Sequence, residues 1–279
     1  MNRYNFIQKI FFYIAIILFF IFILLPFVEM FYASLRPLDH LFRSPYQFYS
    51  NDISFDAYRE MWNTVPMLGR YIFNSFFLAL CVMIITLILV IPAAYSYARF
   101  SFPFKNLSLY VLLAVNMFSG AVLLIPLYKL LRTLSLLNSY QAMIIPGVAF
   151  CIPTSIWLLK TYFEKIPIEL EEAAFVDGAS RIQILRNIIA PLSAPGLVVV
   201  GIYAFIQAYA QQFLFAITFN SKKEFMPIPA GLYEFIGYQS VKWNEMMAAS
   251  LLGILPVLLV FVFLQRYIVE GLTAGSVKN

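Results

Sequence analysis

Charge is what this sequence has least of: Asp, Glu, Lys and Arg make up 12% of its 279 residues, where an ordinary soluble domain carries about 25%. Histidine occurs once, at His40, and cysteine twice, at Cys81 and Cys151. The two cysteines fall inside separate apolar stretches, so they read as small apolar fillers rather than a disulfide. His40 reads as a solvated side chain in a polar loop. No catalytic constellation, metal site or bound cofactor is expected. A GxxxxGK[ST] phosphate loop is absent, so the chain does not hold ATP by that route. The net charge is only +5 and no basic run occurs, which excludes nucleic acid as a partner. No repeat and no low-complexity segment appears.

What is present is apolar surface. Hydrophobic residues reach 62% and the mean hydropathy is +0.82, more than a water-soluble fold can hide. Crossing a bilayer core takes about 20 apolar residues in a helix. Uncharged runs supply six: Ile10–Val28, Tyr71–Tyr97, Asn106–Tyr128, Thr133–Leu159, Asn187–Ser221 and Met246–Gln265. Each must be helical, because lipid offers the backbone no hydrogen-bond partner. The fifth run is too long for one crossing, and Pro191 and Pro195 place the start of its span near Gly196. The first run is too long for a secretory signal and no small-residue cleavage site follows it, so it reads as a retained span. The expected fold is an all-α integral membrane protein with six transmembrane helices.

The spans hold essentially no ionisable residue; Glu29 lies at the end of the first. Ionisable groups at depth mark proton relays, ion sites and voltage sensors, so ion-coupled carriers and voltage-gated channels are disfavoured. Energy for any active transport must then come from another subunit. Uncharged polar residues do occur at depth: Gln207, Tyr209, Gln211 and Gln212 in the fifth run, Asn116 and Ser119 in the third. Gln207 and Gln211, four apart, share a helical face. Two readings stand open for the glutamines: they line the path of a polar solute, or they join helices by bonds of about 0.6–2 kcal/mol each. For Asn116 the second is favoured. Aromatic residues, 18% of the chain, fit interfacial and lipid-facing positions. With six spans both termini share a side, and that side carries ten of the 19 Lys and Arg. Charge counting therefore does not orient the protein.

One polar stretch between the fourth and fifth runs stands apart: IPIELEEAAFVDGASRIQILRNIIAPLSAPG, Ile166–Gly196. Pro167 suits a first helical position. Glu169, Glu171 and Glu172 follow in the first turns, where the helix dipole favours negative charge. Leu170, Ala173 and Ala174 make a narrow apolar stripe, and Gly178 sits where a left-handed cap is wanted. A second helix opens on Ser180-Arg181-Ile182-Gln183, a capping box, and Ile182, Leu185 and Ile189 continue along one side up to Pro191. The expected product is helix, glycine corner, helix. A loop lying on lipid headgroups favours Lys and Arg on its polar face. This one carries mostly acids, which suits a protein partner better.

The order Glu172-Ala173-Ala174, Gly178, Ile188, Pro191 resembles the EAA signature of permease subunits of ABC importers. The ending Gly271–Asn279 (GLTAGSVKN), Phe73–Ala79 and Met246–Val257 are similar to sugar-importer permeases of the maltose-type second-subunit group. The resemblance implies a type I importer fold with termini and the 161–193 loop in the cytoplasm. It implies that the loop is a coupling helix, docking in a cleft of an ATPase subunit through Glu171, Glu172, Ala173, Ala174, Asp177, Gly178, Ile188 and Pro191. It also implies that the tail, Gly271, Leu272, Thr273, Ala274 and Gly275, reaches between the ATPases, and that the Ser221–Glu245 loop meets a solute-binding protein. The implied assembly is a heterodimer with a second homologous permease, two ATPase subunits carrying ATP and Mg, an extracytoplasmic solute-binding protein, a sugar and the bilayer. Two departures show: Ala190 stands where the family usually has Leu, and Ala210-Gln211-Gln212 where a Trp-Asn-acid run is common.

By the same resemblance the expected organisation is an N-terminal span with its extracytoplasmic loop (1–70), a permease domain (71–269) and a C-terminal tail (270–279), in a bacterial inner membrane. The expected function is sugar or oligosaccharide translocation without covalent chemistry. A non-sugar polar solute such as a peptide, and a carrier or channel working without an ATPase, are the alternatives.

Overall fold

The computed structural model describes residues 6–42, 52–118, 120–237 and 240–273. Those residues are almost wholly helical: α1 Phe6–Ser34, α2 Asp56–Thr64, α3 Leu68–Arg99, α4 Lys105–Val115, α5 Gly120–Thr133, α6 Gln141–Phe163, α7 Glu169–Val176, α8 Arg181–Ile184, α9 Ala190–Leu192, α10 Ala194–Phe219, α11 Ile228–Gly231 and α12 Trp243–Thr273. Five of them, α1, α3, α6, α10 and α12, are each long and apolar enough to cross a membrane. The third run is not one straight helix. It breaks between Val115 and Gly120, leaving α4 and α5 bent by 96°. Counted as one broken span, the pair completes the expected six. Uniform apolarity concealed the break, since lipid tolerates a bend wherever side chains and neighbouring helices satisfy the freed backbone.

The fourth helix also starts later than the apolar run. Ser135 and Asn138 have φ of 56° and 60°, which no helix interior accommodates, and α6 begins only at Gln141. The fifth span behaves as the prolines indicate: α10 begins at Ala194, with Pro195 in its first turn.

Contacts divide the chain into two units, Met1–Leu68 with Gly231–Ile254, and Gly69–Ala230 with Leu255–Asn279. In the first unit α1 exposes nearly all of its apolar side chains up to Val28, as a lipid-facing helix does. Beyond it Ser34 Oγ and Tyr58 Oη lie 2.8 Å apart, and the buried Arg36 guanidinium stacks 3.8 Å from the Tyr32 ring centroid. His40 is not solvated as its polar neighbourhood indicates: its side chain is 13% exposed, 3.4 Å from Asp39 and 3.5 Å from Asp52.

The second unit is built around α6 and α10, with α3 alongside. Small residues set the spacing. A Cβ placed on Gly196 would stand 2.5 Å from Tyr162 Cγ, and one on Gly147 would stand 2.9 Å from Val82 Cγ2. Small-residue contacts of this kind let helices approach within a membrane, where no hydrophobic force drives them together. Ala79, Val82, Cys151, Ala204, Phe205 and Ala208 fill the middle of the unit. Both cysteines are free thiols, in keeping with their reading as fillers.

Candidate functional site

The hairpin has the expected order, and its corner is fixed by local bonds. Ile168 already has helical dihedrals and α7 runs from Glu169 to Val176, so Pro167 precedes the helix rather than opening it. At the other end Gly178 takes φ +84°. Its N–H donates to Phe175 O (3.0 Å), and the Ala179 N–H donates to Ala174 O (2.9 Å). This double bond pattern closes a helix around a left-handed residue. Ser180 then caps α8: its N–H donates to Gln183 Oε1 (2.7 Å) and its Oγ accepts from the Gln183 N–H (3.4 Å). The Arg181 guanidinium lies over Phe100 (4.7 Å) and Phe175 (5.3 Å).

The hairpin side chains divide into rooted and presented groups. Ile184 and Ile189 are fully buried with Val90, Ala94, Ile156, Leu159 and Phe163, and Leu185 and Ala174 pack against that cluster. Ile182, expected on the same side, is instead 77% exposed. Position 182 is about 200° around the helix from 184, so the buried stripe runs through Ile184. Glu172, Ala173, Asp177, Gly178 and Pro191 are exposed and Ile188 is half-buried. Val176 is 87% exposed beside them.

Glu171 departs from its expected place on the acidic outer face. It is 3% exposed, paired at 2.5 Å with Arg99 Nε and accepting from Tyr95 Oη at 2.7 Å. No sequence signal linked it to Arg99, 72 positions away. A second feature escaped the sequence as well: Leu185–Ile189 forms a π turn, whose Ala190 N–H reaches back to Leu185 O. The signal was Pro191, which lacks an N–H and crowds the carbonyl four residues back; a wider turn relieves that. Such turns recur at functional sites.

The polar residues at depth do not act as one cluster. A cleft of about 400 Å³ is lined by Asn116, Thr154, Tyr203, Gln207 and Gln211, with Phe118 and Phe150 beside them. All its hydrogen-bonding side chains are amides or hydroxyls. Asn116 Nδ2 also donates to Thr154 Oγ1 at 2.7 Å, so it both joins helices and faces the cleft. Gln212 and Tyr209 do not line it. Successive helical residues point about 100° apart. Gln212 is accordingly 3% exposed and donates through Nε2 to Ser75 O at 2.7 Å. Tyr209 packs in the core, its ring 6.2 Å from that of Phe205. Gln207 and Gln211 thus face a cleft, whereas Gln212 joins two helices. Ser119, Ala274 and Gly275 lie outside the described residues, and Gly271, Leu272 and Thr273 close α12. Among the described residues no group of His, Cys, Asp and Glu is arranged to hold a metal.

Apolar helices in this number, with one polar glycine-cornered hairpin and a polar cleft among the spans, define a multi-pass helical transport protein. More particularly, the chain belongs to the family of binding-protein-dependent transport system inner membrane components, whose profile matches residues 73–273. It is 35% identical over 256 residues to the sulfoquinovosyl glycerol transport system permease protein SmoH of Agrobacterium fabrum, covering 92% of this chain and 89% of that protein. It is 34% identical over 278 residues to the trehalose/maltose transport system permease protein MalG of Thermococcus litoralis, covering 99% of each. Among solved structures it is similar to a chain of a bacterial ABC transporter involved in the import of the acidic polysaccharide alginate. There the TM-score is 0.79 and the identity 23%, over 96% of this chain and 100% of that one; this likeness establishes the fold alone.

Proposed function

We propose that this chain is the permease subunit of a bacterial ABC importer, passing a sugar or oligosaccharide across the inner membrane while its 161–193 loop is driven by a separate ATPase subunit. One observation carries the reading. Between two spans the chain holds a hairpin whose corner is locked by Gly178, with Glu172, Ala173, Asp177 and Val176 presented outward. Exposed small and apolar residues on a rigid, rooted element are what a docking partner requires. The relatives' sugar names and the amide- and hydroxyl-lined cleft support a neutral or polar glycan as cargo.

The assembly is a heterodimer with a second homologous permease, two ATPase subunits and an extracytoplasmic solute-binding protein. ATP and Mg reside on the ATPases, and this chain binds no cofactor and makes or breaks no covalent bond. Both termini and the hairpin face the cytoplasm. Closure of the ATPases on ATP drags the hairpin, and the spans swing so that the cleft opens to accept sugar. Asn116, Gln207 and Gln211 then touch the passing solute, whereas Tyr209 and Gln212 hold the helix that presents them. Co-expression with a candidate ATPase, followed by purification in detergent, tests this. Co-elution is expected, and a chain that never co-elutes with such a subunit is an ATPase-independent carrier or channel instead.

A further inference from the structure

Glu171 sits within the docking hairpin yet is closed to any outside partner. Its side chain is 4% exposed and that of Arg99 10%. Arg99, the last residue of α3, holds the hairpin at two points: Nε on the Glu171 carboxylate at 2.5 Å and Nη2 on Ile166 O at 2.8 Å. Tyr95, one turn earlier on the same face of α3, donates to the other Glu171 oxygen at 2.7 Å. A planar guanidinium engaged at two acceptors fixes orientation as well as distance. Packing alone does not call for a buried ion pair here, since apolar residues of like volume stabilise as well.

Toward the other end of α3 a single neutral bond ties it to α10. Ser75 O accepts from Gln212 Nε2 at 2.7 Å, and Gln212 adjoins the cleft residue Gln211. Ala79 and Val82 of α3 pack with Ala204 and Ala208 of α10 between the two ends. From Arg99 to Ser75 is about 36 Å of helix at 1.5 Å per residue. Pro92 lies within it, flanked by the fully buried Val90 and Ala94.

We infer that Arg99 and Tyr95 are positioning residues that make α3 the rod between the hairpin and the cleft, so that hairpin displacement reaches Gln211 through the Arg99–Glu171–Tyr95 tie. The inference rests on the ATPase-coupled reading given above, and adds the route by which the coupling travels.

The test uses the complete permease–ATPase assembly in proteoliposomes, with Cys81 and Cys151 replaced by Ala and Gln211→Cys as reporter. The rate of maleimide labelling is compared without nucleotide and with ATP plus vanadate. With the tie intact, nucleotide is expected to change the rate. Tyr95→Phe should shrink that change about fivefold, the scale of one lost hydrogen bond. Arg99→Glu should abolish it, and the exchanged pair Arg99→Glu with Glu171→Arg should restore a substantial part. A merely structural role predicts lower yield with the nucleotide-dependent change kept in whatever assembles. If Tyr95→Phe and Arg99→Lys respond to nucleotide as the parent does, the rod is overturned while coupling stands. If the parent itself shows no nucleotide response, the coupled reading fails and the rod with it. Should Arg99→Glu not assemble, Tyr95→Phe, which removes one hydroxyl, decides.

Discussion

Replacing Gly178 by valine separates backbone conformation from steric crowding. The glycine holds φ at +84°, and a Cβ built on it meets no atom within 4 Å. A Cβ there therefore meets nothing beyond the adjoining residues, and the cost of substitution is chiefly that of holding an L-residue in the left-handed region. That cost is about 1–2 kcal/mol and larger for a β-branched side chain. Two bonds depend on this conformation, Gly178 N–H to Phe175 O and Ala179 N–H to Ala174 O. With 1.4 kcal/mol to each tenfold step, Gly178→Val should reduce the population of the closed corner, and the apparent affinity for the ATPase, by about 5- to 30-fold. Asparagine tolerates the left-handed region, so Gly178→Asn should keep most of the affinity. The assay is titration of purified permease in nanodiscs with labelled ATPase subunit. Equal losses for Val and Asn would show that the glycine matters for its size and not its φ; undiminished binding by Val would remove the corner from the docking surface altogether.

Glu172→Lys reverses an exposed charge whose side chain makes no hydrogen bond or ion pair among the described residues; insertion should be normal and solute uptake by whole cells should fall several-fold, so normal uptake speaks against a contact at this position. Gln212→Leu removes the tie to Ser75 O and should lower stability by about 1 kcal/mol, read as an earlier thermal transition in detergent. Gln211→Leu should leave that transition in place and lower uptake; the opposite pattern would exchange their roles. Gly196→Ala drives a methyl to 2.5 Å from the Tyr162 ring and should destabilise by about 1–3 kcal/mol. Tyr162→Ala in the same chain should recover part of the loss, and an unshifted transition for Gly196→Ala alone would mean that the two helices are not in close contact.

What the sequence disclosed depended on the range of the interaction. The capping box at Ser180 and the glycine corner were legible because their partners lie within five residues, and both are present as read. The start of α10 was legible because Pro195 marks it. Glu171 was assigned to the outer face because a helix wheel knows nothing of Arg99, which only the tertiary fold brings near. Ile182 was grouped with Leu185 on spacing alone, although the π turn and the buried Ile184 set the inward side. The break between α4 and α5 was invisible for a different reason: apolar residues on both sides satisfy a hydropathy window whether or not the axis is straight. At the glutamines the sequence grouped Gln207, Gln211 and Gln212, but neighbouring positions point different ways, so only the first two line the cleft.

The outward face of the hairpin has a consequence for the cell. Val176 at 87% and Ile182 at 77% exposure, with Leu170 and Phe175 above 40%, leave an oily knuckle that water penalises until something covers it. A copy made in excess of its companions would keep that knuckle bare and present it to chaperones, proteases and other orphan copies. Balanced synthesis is thus written into four side chains: the lifetime of this subunit should track the supply of whatever seals its knuckle.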